Sequence, residues 1–253
     1  MKDVQRALPT RRVGPSLPLL VVRRAVFEAK TVVAKYPGVA LPIARRRHGI
    51  PVGDDTELVI EAFPRSGMTF AVVAVEITQT RQVQVACHVH APAQVIEAAR
   101  RCIPALVLVR EPESTIISFV IRHPHLSMRQ ALRGYVRFYA PLLRYRDDFV
   151  VSSFEDVTTD FGLVVRQVNE RFGSTFDRFR HTPENVERCF ARISGDYRER
   201  AGTGAEFERI VARPSDERER IKQALRERFR DPRLTRGRRR AQSVYAAIAG
   251  RGA

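Results

Sequence analysis

The residues best suited to chemistry stand at Pro64-Arg65-Ser66-Gly67-Met68-Thr69-Phe70, directly after the apolar run Leu58-Val59-Ile60-Glu61-Ala62-Phe63. A cation, two hydroxyls and a glycine fall where a strand turns into a helix. Backbone N–H groups converge at such a helix start, which is the physical recipe for holding a phosphate or sulfate. The stretch lacks the G-x-x-x-x-G-K-[ST] pattern, because Gly67 stands alone before Met68-Thr69, and this argues against an ordinary ATPase or GTPase. Taken alone, Pro64–Gly67 is equally a plain strand-to-helix turn, so its surroundings decide.

The surrounding sequence alternates apolar runs with helical periodicity. Residues 1–16, with Pro9, Gly14 and Pro15, read as an irregular arm, and Leu17–Lys35 as a helix broken by Tyr36-Pro37-Gly38 and Pro42. Arg45 to Gly49 and Pro51 to Asp55 lead into a strand at Leu58–Phe63, and Met68–Thr80 follows as a helix. Val83–His90 alternates as a second strand, stopped by Ala91-Pro92, with a short helix over Gln94–Arg101. Ala105–Val109 is a continuous apolar strand of the kind buried in a parallel sheet. Helices are expected at Glu113–Ile121 and Ser127–Arg144, the second carrying Leu132, Tyr135, Val136, Tyr139 and Leu143 on one stripe. Then come a strand at Phe149–Ser153, the polar Phe154-Glu155-Asp156, and a helix from Thr159 to Phe172 closed by Gly173. Helices at Pro183–Arg192, from the Ser215 cap to Phe229, and from Arg236 to Ala249 enclose a flexible polar stretch, Ser194–Gly204.

Repeated strand-loop-helix units predict an α/β fold, a three-layer α/β/α sandwich with a mainly parallel central sheet and P-loop-like architecture. Parallel strands put the loops after them on one edge. That edge gathers Pro64–Thr69, His88 and His90, Arg110–Ser118 and Phe154–Asp156. The expected organisation is a basic arm and helix at 1–56, a catalytic domain at 57–230, and a basic C-terminal helix at 231–253 packed on that domain or extending from it.

These loops resemble the cytosolic-type sulfotransferase family, including its bacterial-like members. In that family a Pro-Lys-Ser-Gly-Thr-Thr-Trp type loop grips the 5′-phosphosulfate of 3′-phosphoadenosine 5′-phosphosulfate (PAPS). The family's 3′-phosphate segment has an arginine after a hydrophobic strand, a proline two positions on and a serine eight positions on. Arg110, Pro112 and Ser118 stand at that spacing. A Lys-Thr-His-x-Pro segment, whose histidine takes the acceptor's proton, is matched by His88-Val89-His90-Ala91-Pro92. The resemblance thus implies a sulfotransferase moving a sulfuryl group from PAPS to a hydroxyl or amine, with His90 and Arg65 catalytic.

By the same resemblance, Arg65, Ser66, Gly67, Met68, Thr69, Phe70, Arg110, Ser118 and Phe154 hold the nucleotide, whose product form is 3′-phosphoadenosine 5′-phosphate (PAP). No metal is required. Phe154 replaces a tyrosine beside adenine, Phe70 a tryptophan, Arg65 a lysine and Met68 a hydroxyl residue. Arg198 and Arg200, in Arg198-Glu199-Arg200-Ala201-Gly202-Thr203-Gly204, stand for a late basic loop over the 3′-phosphate, without the family's Asp-Trp or spacing. An imidazole suits proton removal near neutrality, although a lone strand histidine also reads as a satisfied structural group.

The bulk numbers frame these readings. With 253 residues, 44% hydrophobic and 28% charged, the chain fits one globular core with terminal additions. The formal net charge is +16; residues 1–57 hold eleven Lys+Arg against five Asp+Glu, and residues 211–253 thirteen against five, so the excess is terminal. Such a field favours acidic partners, with peripheral membrane contact left open, while the near-neutral middle argues against nucleic acid as the main substrate.

Three cysteines without Cys-x-x-Cys spacing suggest buried thiols in a reducing, cytoplasmic setting, and Leu17–Val22 is too short to span a bilayer. The acceptor is a small molecule, glycan or lipid, its pocket lined by segments between Pro92 and Arg101, around His123–Met128, and by the N-terminal helix. The rival readings are a non-catalytic protein of this fold binding a phosphorylated nucleotide or polyanion, a small-molecule kinase, and an arginine-rich nucleic-acid or membrane binder.

Overall fold

A computed structural model describes residues 17–46, 49–201 and 216–250. Four strands, β1 (Leu58–Ala62), β2 (Val85–Cys87), β3 (Ala105–Val109) and β4 (Val150–Ser153), form one parallel sheet in the order β2-β1-β3-β4. β1 and β3 are buried along their whole length, which explains why β3 reads as an unbroken apolar run and β1 as one broken only by Glu61.

Their side chains alternate between two cores. Val59, Phe63, Ala105, Val107 and Val109 face one, while Leu58, Ile60, Ala62, Leu106 and Leu108 face the other. Each fully buried aliphatic side chain of this kind contributes about 1.5–3 kcal/mol relative to exposure.

The first core is covered by α4 (Pro92–Arg100), α5 (Pro112–Arg122), α6 (Met128–Tyr139) and α11 (Thr235–Ala249), and the second by α3 (Met68–Thr78), α8 (Phe161–Phe172) and α9 (Pro183–Ala201). The expected three-layer α/β sandwich with its P-loop-like strand-loop-helix unit is therefore present. Two further helices, α1 (Leu17–Val33) and α2 (Pro37–Ala44), precede the sheet; α7 (Phe154–Thr159) precedes α8, and α10 (Asp216–Phe229) precedes α11.

The connection from β2 to β3 passes over β1, so the chain reverses direction across the sheet beside β1. Loops after β1 and β3 flank the crevice where open α/β sheets place their ligands.

Several boundaries differ from the sequence expectation for identifiable reasons. β2 stops at Cys87 instead of reaching His90, because His88 and His90 take φ of 61° and 54°, a left-handed backbone no strand accommodates. The helix expected over Ser127–Arg144 ends as an α-helix at Tyr139, and a 3-10 segment containing Pro141 continues to Asp148. Phe154-Glu155-Asp156 is not a loop but the first turn of α7, closed by a reciprocal cap between Ser153 and Asp156.

Ser194–Ala201 is helical as the end of α9, not a flexible stretch. Gly202–Gly204, the 1–16 arm, Arg47, His48 and Ser215 lie outside the described residues. Cys87 and Cys189 are buried thiols, but Cys102, at the turn ending α4, is exposed.

Candidate functional site

The loop after β1 is shaped by two residues with left-handed backbone, Arg65 at φ 78° and Gly67 at φ 90°. Glycine is required at 67 on two counts. A side chain there is strained at that φ, and its Cβ would lie 3.1 Å from Phe154 Cδ2. The turn feeds directly into α3, whose first N–H groups have no acceptor within the helix. Ser66 is fully buried, and its hydroxyl, near enough to the Tyr139 hydroxyl to interact, makes no hydrogen bond of proper geometry.

Three sequence-distant loops meet here. Arg65 Nε donates to Ser118 Oγ at 3.0 Å, and Arg110 Nη1 donates to the Arg65 carbonyl at 3.2 Å. The Arg110 guanidinium lies 3.8 Å from the centre of the Phe154 ring, a cation–π stack. Burial works against the Arg110 charge, with Glu155 and Glu111 partly offsetting it. An anion with phosphate geometry would satisfy these cations further, since guanidinium forks pair with such oxygens.

His90 sits one turn of loop beyond β2. Its Nδ1 donates to the Ala62 carbonyl at 3.0 Å, so the proton resides on Nδ1 and Nε2 keeps a free lone pair. Burial lowers its pKa to about 3, helped by the charges of His88, Lys30 and His123, although 30% of the side-chain surface remains accessible. The ring of His88 is 6.0 Å from that of His90 and contacts the Cys87 sulfur at 3.1 Å.

Beneath His90 lies Glu61, a carboxyl inside a strand. It accepts from the N–H groups of Ala62, His90 and Val89, and its Oε1 is 3.7 Å from His90 Nδ1. Complete burial raises its pKa to about 8 despite those bonds, so it is protonated at neutral pH.

The structure brings Arg65, Ser66, Gly67, Arg110, Ser118 and Phe154 together, with His90 at the neighbouring strand end. Thr69 is half-buried on the first turn of α3. Met68 and Phe70 do not present their side chains to a ligand. Both are buried in the second core, and Phe70 packs against Phe161, Phe179, His181 and Phe190, leaving backbone N–H groups as their contribution. Arg198 is exposed near the end of α9, next to Tyr197, whose ring lies 5.8 Å from the Arg122 guanidinium at the end of α5. The Arg200 side chain lies outside the described residues.

Sequence reasoning missed the supports of this cluster. Tyr139 accepts from Phe63 N–H and donates to the Leu108 carbonyl, while Tyr135 donates to the Arg110 carbonyl. Two tyrosines of α6 thereby clamp the ends of β1 and β3. Lys30 of α1 and His123 lie within electrostatic range of His90. Glu61 was visible as a charge inside an apolar run. The α4 side chains Pro92–Ile96 are buried in the core, against the expectation that they line an acceptor pocket. Two shallow depressions of about 320 and 460 Å³, walled by Arg178, Phe179 and Arg180, touch none of Arg65, His90 or Arg110.

No protein-family model and no curated protein sequence matches the chain. Among solved structures, mouse sulfotransferase SULT7A1 complexed with PAP is similar over 80% of this chain and 93% of its own, at 12% identity and a TM-score of 0.40. Retinol dehydratase, in complex with androsterone and inactive cofactor PAP, is similar over 78% of this chain and 86% of its own, at 12% identity and a TM-score of 0.36.

Proposed function

We propose that this protein is a sulfotransferase that moves a sulfuryl group from PAPS to a hydroxyl or amine acceptor. The observation that carries the reading is the tautomer of His90. Its Nδ1 proton is fixed on the carbonyl of Ala62, the last residue of β1, from which the chain runs through Phe63 and Pro64 into the loop of Arg65, Ser66 and Gly67. A base thus adjoins an anion cradle, the pairing that sulfuryl transfer requires.

The residues present fit the donor. Gly67 lets Phe154 pack close against the turn, the Ser66 hydroxyl lacks a good partner, and Arg110 reaches from a separate loop to the Arg65 carbonyl. Arg65, Ser66 and the first N–H groups of α3 would hold the 5′-phosphosulfate. Arg110 and Ser118 would hold the 3′-phosphate, and Phe154 would stack beside the base. When bound, PAPS supplies the activated sulfuryl group.

His90 Nε2 removes the acceptor's proton as its oxygen or nitrogen attacks in line. Arg65 and the helix N-terminus stabilise charge gathering on the departing phosphate oxygen, an electrostatic contribution that needs no rearrangement of the loop. Negative charge held by the cradle raises the basicity of His90, and the Ala62 carbonyl supports the imidazolium that forms.

A second reading, a non-catalytic protein that binds a phosphorylated nucleotide, draws on the lowered basicity of His90. Calorimetric titration with PAP, and separately with ATP and Mg²⁺, tests the donor site. Both readings expect PAP to bind without Mg²⁺, Arg110→Ala to weaken it, and His90→Ala to spare it. Binding of ATP only with Mg²⁺, and none of PAP, would overturn both; transfer itself separates them.

A further inference from the structure

The face of α1 turned away from the protein is apolar. Its other face is docked: Phe27 packs against Gly134 and Phe119, Glu28 pairs with Arg133 and Arg137, and Arg24 Nε donates to the His125 carbonyl at 2.8 Å. At 100° per residue, Leu19, Val22 and Val26, with Ala25 beside them, lie on the opposite side, while the exposed Val21 and Val32 stand on the flank between that stripe and Glu28. Val22 and Val26 are 56% and 54% exposed. α2 continues the surface with Tyr36, Val39 and Ile43. Ten of the twelve exposed large apolar side chains among the described residues lie between 17 and 50, so exposed apolar surface is concentrated in this segment.

Charge identifies the occupant. Residues 17–46 carry six cations, Arg23, Arg24, Lys30, Lys35, Arg45 and Arg46, against one acid, Glu28, which is turned inward to α6. Arg23 and Lys30 run along one edge of the apolar stripe. The Lys35 ammonium sits 5.0 Å above the Tyr36 ring, an amphipathic pair of the kind that settles at a water–lipid boundary. Two copies of this face would bring like charges together, whereas anionic headgroups neutralise them. No helix among the described residues is long and apolar enough to cross a membrane.

We propose that the exposed face of α1 and α2 docks in the plane of an anionic lipid surface. The docking element is built onto the His90 loop. Ala40, Leu41 and Ala44 of α2 pack with Val89, Ala91 and Ala93, and Ala93 N–H donates to the Ala34 carbonyl at 3.0 Å. Seated this way, the molecule holds the His90 loop beside the interface. The proposal does not depend on sulfuryl transfer; combined with it, the acceptor hydroxyl or amine belongs to an interfacial amphiphile.

Vesicle flotation of the full chain, without nucleotide or acceptor, tests the docking independently of activity. Vesicles of phosphatidylcholine with about 30% phosphatidylserine are compared with phosphatidylcholine alone, at low and high salt. Binding is expected to the anionic vesicles, weakened by salt. Val22→Asp and Val26→Asp, each checked for wild-type circular dichroism, are expected to reduce partitioning about tenfold, Arg23→Glu to reduce it as well, and Leu163→Asp to leave it unchanged. Absence of binding to anionic vesicles, or equal binding by the Val22 and Val26 variants, would overturn the proposal. So would a dimer in light scattering that Val26→Asp dissolves while vesicle binding persists, which would give the face to a second copy.

Discussion

Arg110 does more than carry charge. Its guanidinium lies over the Phe154 ring and donates to the Arg65 carbonyl, and its own carbonyl is held by Tyr135. A lysine keeps the charge and can sit over the ring, but it lacks the planar fork that pairs with phosphate oxygens. Arg110→Lys is therefore expected to lose nearly as much PAP affinity as Arg110→Ala, about tenfold or more, in calorimetry; full retention would mean that charge alone suffices.

The buried pair below the loop makes folding stability depend on pH in two opposite senses. Glu61 titrates at about 8 in the folded chain against an ordinary 4.5, so its contribution is intact below 4.5 and lost as pH rises towards 8. His90, at about 3 against 6.5, contributes stability that is present above 6.5 and lost as pH falls towards 3. Above pH 6.5 only the Glu61 contribution of this pair still changes with pH. Glu61→Gln is expected to flatten the decline in urea midpoint between pH 6.5 and 8, and an unchanged decline would show that Glu61 is not its source.

At the scale of elements, the cradle exists because β1 passes into α3 through a turn that only glycine closes. Gly67→Ala meets both the φ of 90° and the Phe154 ring. It is expected to cost about 1–2 kcal/mol of stability by urea titration and to displace Phe154, weakening PAP binding. Wild-type affinity with wild-type stability would contradict the geometry. This turn was legible in the sequence, as were β1 and β3, because a strand buried on both faces leaves a run of apolar residues, broken in β1 only by Glu61. The site loop after β2 was only half legible. His88 and His90 alternate with valine as strand residues do, yet their left-handed backbone ends the strand at Cys87. The end of α9 past Arg192 hid behind Gly195 and a polar composition. Met68 and Phe70 lie in the right motif, but a pattern of residues does not say which way a side chain turns. The clamps of Tyr135 and Tyr139 were seen only as an apolar stripe, since their hydroxyl partners come from strands distant in sequence.

At the scale of the whole molecule, the parallel sheet supplies the crevice, the P-loop-like turn supplies an anion cradle, and the N-terminal helices frame the His90 loop with cations and an apolar outer face. Each part alone is compatible with simple binding. On the proposed reading they serve transfer together, with His90 as the point where binding becomes catalysis. Incubation with ³⁵S-labelled PAPS and a panel of hydroxyl and amine acceptors, amphiphiles in anionic vesicles included, measures this directly. Labelled acceptor and stoichiometric PAP are expected from the wild-type chain, with His90→Ala losing at least about a hundredfold in turnover while still binding PAP. No labelled product from any acceptor, or equal turnover by His90→Ala, would contradict the account.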